Sequence, residues 1–250
     1  MYILGNSGLA AAASSGNGTA EYPYIIENET IDFFEMVCLL VILNGPRIGI
    51  LVRNTTKHFI IRNCDIDTTI YCRNSHYAFY GVWLDNVTNA SLINNSIQNS
   101  DSYISEYTGV LLSNCSNVNL SDNVISNHMI GIYSYYSNFN LLTENTVNTN
   151  FNGFYFETSS NNTISNNTVN NNFIGIWLDY SNYNLITGNT FFNNYEGIIE
   201  DSSCVGNSFK NNIIVNRVAI PPYGWLLPTL IGLGLITTIF YLRKKSKRRK

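Results

Sequence analysis

The sequence predicts an all-β chain: a right-handed parallel β-helix, a solenoid of about seven 22-residue coils, followed by one C-terminal transmembrane α-helix. Three observations predict it. Gly109, Gly131, Gly153, Gly175 and Gly197 recur at a constant spacing of 22 and open similar phrases, such as GIYSYYSNFNLLTENTVNT and GIWLDYSNYNLITGNTFFN. Within each phrase apolar residues alternate over short runs bounded by Asn, Ser and Gly, without a 3.6-residue period, the pattern of short strands and tight turns. Residues 225–242 (WLLPTLIGLGLITTIFYL) carry no charge and run directly into a basic octapeptide.

Composition points the same way. Asn supplies 39 of the 250 residues, which disfavours helix because its amide competes for nearby backbone groups, while 13% aromatic residues are too many for a disordered chain. Only 12% of residues are charged, and the net charge of −3 hides an asymmetry: seven of the 14 basic residues lie in the last eight positions, leaving −10 on residues 1–242. An acidic body of low charge argues against a nucleic-acid partner.

Residues 1–20 form an N-terminal segment without the basic start of a secretory signal, its apolar stretches split by Gly5 to Gly8. Either translation starts upstream or export is unusual. The β-helix is expected over 21–218. Phe33 to Leu43 read as a buried strand of an irregular first coil, too short to span a bilayer. A seventh, weaker copy of the phrase starts near Gly49, and a sixth, GVWLDNVTNASLINNSIQN, at Gly81, set off by a six-residue insertion before Gly109.

A 22-residue unit cannot bury its own apolar face, so copies stack and each strand pairs with its equivalent one coil on. The inward columns are Val82, Val110, Ile132, Phe154, Ile176 and Ile198, then Leu92, Leu120, Leu142, Ile164 and Ile186, then Ile97, Ile125, Val147, Val169, Phe191 and Ile213. A structural ladder of Asn95, Asn123, Asn145, Asn167, Asn189 and Asn211 is expected at a corner, where Asn tolerates the left-handed conformation. Glu200 and Ser208 fall at inward positions and mark the end of the stack.

A stiff linker over 219–224 contains Pro221, Pro222 and Gly224. The 18 residues of 225–242 reach ~27 Å as a helix, enough to cross the lipid bilayer, with Trp225 and Tyr241 at the two interfaces. The basic tail 243–250 places the C-terminus in the cytoplasm and the solenoid outside the cell.

The phrase G-[IV]-x-[LF]…N-x-[IV] resembles the parallel β-helix repeat of the NosD-like, carbohydrate-binding and sugar-hydrolase group, within the pectin-lyase-like superfamily. Gly16 to Thr19 followed by Pro23 to Ile26 is similar to the lead-in of such proteins on archaeal and bacterial surfaces, and the tail to their anchor. The resemblance implies fold rather than activity, since the superfamily holds lyases, hydrolases, epimerases and adhesins. It implies a cell-surface or extracellular polysaccharide as partner.

Two positions after each glycine the coils present Trp83, Leu111, Tyr133, Tyr155, Trp177 and Ile199, and two further on Asp85, Ser113, Tyr135, Glu157, Asp179 and Asp201. Rings stack on sugars and carboxylates accept hydroxyl hydrogen bonds, so Trp83, Tyr133, Tyr155, Trp177, Asp85 and Asp179 are candidate glycan ligands. The alternative is that the rings only stabilise an exposed sheet.

Glu157, Asp179 and Asp201 are successive rungs ~5 Å apart. Either one is protonated, or a Ca²⁺ ion neutralises them, or they splay into water. The same spacing suits a retaining glycosidase pair, making these three the catalytic candidates if the protein is a polysaccharide hydrolase or lyase. The polygalacturonase-like Asp-Asp and Gly-His-Gly signatures are absent, and Arg53 stands about four coils, ~19 Å, from the acids. Binding or structural work is therefore favoured over catalysis.

No other cofactor is implied. His58, His76 and His128 share no ligand spacing and the five cysteines form no C-x-x-C, so copper, suggested by the NosD name, finds no ligand set. Cys64 and Cys72 flank an insertion at pairing distance in sequence. Ten N-x-[ST] sequons, among them Asn54, Asn86, Asn114 and Asn161, make a glycoprotein of the chain if its host glycosylates.

Overall fold

A computed structural model gives the protein's fold, and it describes residues 1–33, 46–69, 78–100 and 107–216. The linker, the expected membrane span 225–242, the basic tail, most of Phe33 to Leu43 and the residues Cys38, Cys72 and His76 lie outside the described residues. No helix among the described residues is long and apolar enough to cross a membrane.

Every pairing between the strands is parallel, and each strand meets its equivalent in the next coil, the architecture of a parallel β-helix. The third face is an 8-stranded sheet, one strand per coil, so the described residues form eight coils where the repeat predicts about seven. The first and second faces form one 15-stranded sheet because the long strand Phe79–Ile93 continues round the corner between them.

The additional coil comes first: Tyr2–Leu4, Tyr24–Glu27 and Thr30–Asp32 pair with Arg47–Thr55, Phe59–Arg62 and Asp65–Asp67. Residues 1–12, expected as a segment separate from a β-helix starting at 21, thus pack on the stack. The helix Gly5–Ala12 buries Leu9 completely in the core, and the Met1 amino group donates to Gly49 O at 2.5 Å. Covering the end strand and its unpaired edge is how a solenoid avoids pairing with another chain.

The inward columns run as expected through coils 3 to 7. Ile132 lies beside Phe154 and Ile176, Leu142 beside Ile164 and Ile186, and Val147 beside Val169 and Phe191, all fully buried. The last coil departs from the pattern. Its turn after Glu200 holds one more residue, so Ile186 pairs with Phe209 rather than Ser208, and Phe191 with Ile214 rather than Ile213. Glu200 does stand beside Leu178. The stack therefore ends by exposing Phe209 and Ile214 as well as by a charged substitution.

The slip also moves the asparagine ladder, which runs Asn95, Asn123, Asn145, Asn167, Asn189 and then Asn212, not Asn211. Each Oδ1 accepts the backbone N–H and the side-chain Nδ2–H of the preceding coil; Asn123 donates to Asn145 at 3.1 and 2.9 Å. The ladder residues do not adopt the left-handed conformation. That falls to the residue before each of them: Asn94, Asp122, Glu144, Asn166, Gly188 and Asn211. A corner thus needs one residue that can turn and a second, buried one that satisfies the N–H groups the turn takes out of the sheet.

Three similar ladders occupy the other corners. One joins Asn140, Asn162, Asn184 and Asn207; another joins Asn150, Asn172 and Asn194; in the third, Cys115 N–H donates to Ser137 Oγ, Ser137 N–H to Ser159 and Ser159 N–H to Ser181.

His128 stands at the head of the second of these ladders, its N–H donating to Asn150 Oδ1 at 2.9 Å and its Nε2 3.2 Å from Thr68 Oγ1. Burial pushes the imidazole down to about 3. The unfolded chain takes up a proton near 6.5 that the folded chain refuses, so stability should fall as pH drops from about 6.5 towards 3, by up to ~1.4 kcal/mol per pH unit. Urea unfolding at pH 7 and pH 4.5 measures the slope. His128→Asn, which extends the ladder in kind, should flatten it; an unchanged slope would assign the loss to other groups.

Candidate functional site

The strands Phe79–Ile93, Tyr107–Ser113, Ile130–Tyr135, Asn152–Glu157 and Ile174–Asp179 form the first face of coils 3 to 7. Register places Trp83, Leu111, Tyr133, Tyr155, Trp177 and Ile199 in one column, and Asp85, Ser113, Tyr135, Glu157 and Asp179 in the next. Alternation along the strand turns both columns outward, because the residue between them (Leu84, Phe156, Leu178) is fully buried.

The rings of the first column lie on one another. Tyr133 and Tyr155 stack at 5.1 Å with planes 13° apart, and Tyr155 and Trp177 at 4.7 Å and 29°. Strand spacing of about 4.8 Å leaves no room for a sugar between them. These rings therefore offer edges and hydroxyls rather than faces to a ligand, a correction to their expected use as stacking platforms. At the other end, the Arg53 guanidinium lies 5.2 Å from the centre of the Trp83 ring, and the Tyr80 ring lies 5.1 Å away on a tilted plane. Trp83 Nε1 is buried with no hydrogen-bond partner among the described residues.

The carboxylates differ from one another. Asp85 is bound on both sides: Arg53 Nε donates to its Oδ2 at 2.6 Å and Ser113 Oγ to its Oδ1 at 2.9 Å. Weighing Arg53 only against the distant acids misses this pair, which follows from register, since Arg53 and Asp85 are direct neighbours. Glu157 accepts a hydrogen bond from the Tyr133 hydroxyl and pairs in register with Asp179. Burial and the neighbouring carboxylates raise the ionisation of Tyr133 and Tyr155 well above the ordinary phenol range, so both remain hydrogen-bond donors.

Asp201 follows Asp179 in the backbone ladder, its N–H donating to Leu178 O at 2.9 Å, while its carboxylate bonds within the next turn. The strand Glu196–Glu200 ends before it, and its Oδ1 accepts from Ser203 N–H at 3.1 Å and Ser202 Oγ at 3.4 Å inside the following turn. No three His, Cys, Asp or Glu side chains among the described residues stand close enough to share a metal. The calcium option at Glu157, Asp179 and Asp201 thus lacks its third ligand.

Among the described residues, copper fits no better. Cys64, Cys115 and Cys204 are free thiols in separate coils; Cys64 donates to Arg62 O and Cys115 to Leu84 O, and burial pushes the Cys115 thiol up to about 11. A protonated, buried sulfur is a poor copper ligand, and His128 is held by Thr68 and Asn150. The expected pairing of Cys64 with Cys72 falls on Cys72, outside the described residues.

A second aromatic run accompanies the first. Two residues before each glycine stand Phe79, Tyr107, Met129, Phe151, Phe173 and Tyr195. Phe79 stacks on Tyr107 at 4.6 Å, and Phe151 on Phe173 and Phe173 on Tyr195 at 4.8 Å each. This column is visible in the repeat once the alignment extends to the left of the glycine.

Solved structures share the architecture. A mutant of the periplasmic alginate epimerase AlgG superposes with a TM-score of 0.58 at 17% identity, over 76% of this chain and 45% of that one. The Dettilon tailspike protein gives 0.55 at 17%, over 77% and 47%. The chain spans just under half the length of either, and at this identity the likeness is one of fold. No curated protein is significantly similar in sequence. The model of the NosD family, described as periplasmic copper-binding protein, matches residues 24–223, most of the chain, and by that match the protein belongs to the NosD family.

Proposed function

We propose that the protein is a cell-surface β-helix that binds polysaccharide along its outer side, held to the membrane by residues 225–242 with the basic tail in the cytoplasm. The observation that carries the reading is the repetition of hydroxyl, indole and carboxylate groups at strand spacing over coils 3 to 7. A periodic row of hydrogen-bonding groups suits a ligand that is itself periodic. The fold relatives named as an alginate epimerase and a tailspike protein support it by analogy.

Affinity electrophoresis of the full-length chain in mild detergent against a panel of polysaccharides tests binding. Glu157→Gln with Asp179→Asn should weaken retention on the bound polymer by about tenfold, the worth of one or two charge-assisted hydrogen bonds. Unretarded migration of the wild-type chain in every gel would defeat the reading. For the anchor, proteolysis of sealed vesicles should spare the tail and digest the solenoid.

The rival reading, a glycan hydrolase, draws on Glu157 and Asp179 occupying adjacent rungs with Tyr133 donating to Glu157. Shortening of a bound polymer by the wild-type chain, lost on Asp179→Asn, would establish it.

A further inference from the structure

The two ends of the stack are finished differently. At the first coil Leu9 is completely buried in the core, and Ser15 bridges antiparallel to Ile25 along the outer edge of Tyr24–Glu27. At the last coil the strands Glu196–Glu200, Ser208–Lys210 and Ile213–Val215 each pair on one side only among the described residues. Ser208 N–H and Lys210 O bond back to the seventh coil, as do Ile213 N–H and Val215 O. Alternation therefore turns the N–H and C=O of Phe209 and Ile214 to the open side. The side chains of the same two residues continue the core columns. Phe209 follows Ile186 and Ile214 follows Phe191, both fully buried, yet Phe209 and Ile214 are 39% and 47% exposed. Unpaired strand edges and a cross-section of the core thus lie open together, a combination that invites pairing with another chain.

A single added peptide strand would satisfy one of these edges. Three edges on the three faces of a coil, with the core between them, are matched at once only by another coil, and the coil of matching size is that of a second copy. The helix Gly5–Ala12 closes the first coil, so copies cannot stack first coil on last. That leaves last coil on last coil, a closed two-fold arrangement rather than a filament. Residues 195–216 make up the last coil, and a standard interface draws roughly 20–30 residues from each partner.

A two-fold axis across the solenoid pairs one face with itself and exchanges the other two, with all strands antiparallel. Charge selects among the three possibilities. Self-pairing of Glu196–Glu200 would set Glu196 opposite the other copy's Glu200. Self-pairing of Ser208–Lys210 would lay those two acids against the apolar Ile213–Val215. Self-pairing of Ile213–Val215 joins apolar to apolar and lays Ser208–Lys210 along Glu196–Glu200. With Phe209 opposite Ile198, core against core, Lys210 then falls at the Glu196 end of that strand. Lys210 is exposed and has no acidic partner among the described residues.

We propose that the last coil is a self-association surface, through which two copies of the chain join end to end about a two-fold axis. Ile213–Val215 pairs with itself and Ser208–Lys210 with Glu196–Glu200 of the other copy. The surface is separate from the outer columns of coils 3 to 7 and stands whether or not those columns bind polysaccharide.

Sedimentation equilibrium of the full-length chain in mild detergent reads the assembly, and the wild type should be a dimer. Ile214→Pro removes an N–H turned away from the stack, a place where an edge strand tolerates proline, and should give a monomer with a cooperative melt. Ile214→Lys, which keeps the backbone donor and puts a charge at the centre of the interface, should do the same and serves if the proline variant does not fold. Lys210→Glu should weaken the dimer by about tenfold, and adding Glu196→Lys should restore it. Monomers from either Ile214 variant, with rescue by the charge reversal, support the proposal. A wild-type monomer, a series of larger oligomers, or a dimer that survives Ile214→Lys overturns it. A dimer dissolved by Ile214→Lys but indifferent to Lys210→Glu overturns the assigned pairing of faces.

Discussion

Asn145→Ala should lower the unfolding free energy by about 3–5 kcal/mol, among the largest losses available to a single substitution in this chain. Asn145 is fully buried, and its Oδ1 accepts both the backbone N–H and the Nδ2–H of Asn123. Its own Nδ2 donates to Leu120 O at 2.8 Å, Thr143 O at 3.0 Å and Asn167 Oδ1 at 3.0 Å. Truncation leaves buried groups of three consecutive coils without partners, each costing roughly 1–3 kcal/mol in part offset by relaxation. Asn166→Ala, at the exposed left-handed position of the same corner, loses only conformational preference and should cost about 1 kcal/mol. Guanidinium unfolding of both variants measures the contrast, and equal losses would mean that the ladder contributes nothing beyond turn propensity.

That contrast marks what the sequence could and could not reveal. The spacing of 22 and the inward columns were legible because every coil repeats the same burial, so Ile132, Phe154 and Ile176 announce their alignment. The asparagine ladder was legible as a column, but two adjacent asparagines compete for each role: 94 and 95, or 166 and 167. Propensity favours a turn residue, and only hydrogen-bond geometry shows that the second of each pair is buried. An irregular first coil was legible from residue 21, but not its strand Tyr2–Leu4, because the helix Gly5–Ala12 stands between that strand and Tyr24–Glu27 and no glycine phrase opens the coil.

At the other end a single extra residue between Asp201 and Asn207 displaced Ile213, Ser208 and Asn211 together, since a fixed period propagates any slip to every later column. The candidate face was legible as two columns, and the stacking of its rings follows from strand spacing alone. The ion pair of Arg53 with Asp85 needed the register of a weak repeat. The turn that captures Asp201 needed the strand end, which no periodicity supplies.

Gly153→Ala should destabilise by about 2–4 kcal/mol although it adds one methyl group. Gly153 is buried at ordinary negative φ, so freedom of rotation is not the reason for glycine there. A Cβ would stand 2.7 Å from Gly175 O, 3.0 Å from Val169 Cγ1 and 3.2 Å from Asn172 Nδ2. The first of these is backbone of the next coil and cannot give way without moving the stack, while the third belongs to a buried ladder. The contact recurs at 2.6 to 2.7 Å from Gly49 through Gly131, which makes the recurrence of glycine a consequence of coils packed too closely for a side chain at that point of the strand. Gly188 offers the opposite case: its φ is +67° in a column otherwise filled by Asn94, Asp122, Glu144, Asn166 and Asn211, and the obstructing atom is Oδ1 of the exposed Asn166 side chain. Gly188→Asn should therefore change stability by less than about 1 kcal/mol, with a gain from the stiffer unfolded chain offsetting any crowding. Thermal melts of the two variants separate the steric glycines from the conformational one. Equal tolerance at both sites would refute the close-contact explanation, whereas a loss confined to Gly153 would extend by the same geometry to Gly131 and Gly175 on either side.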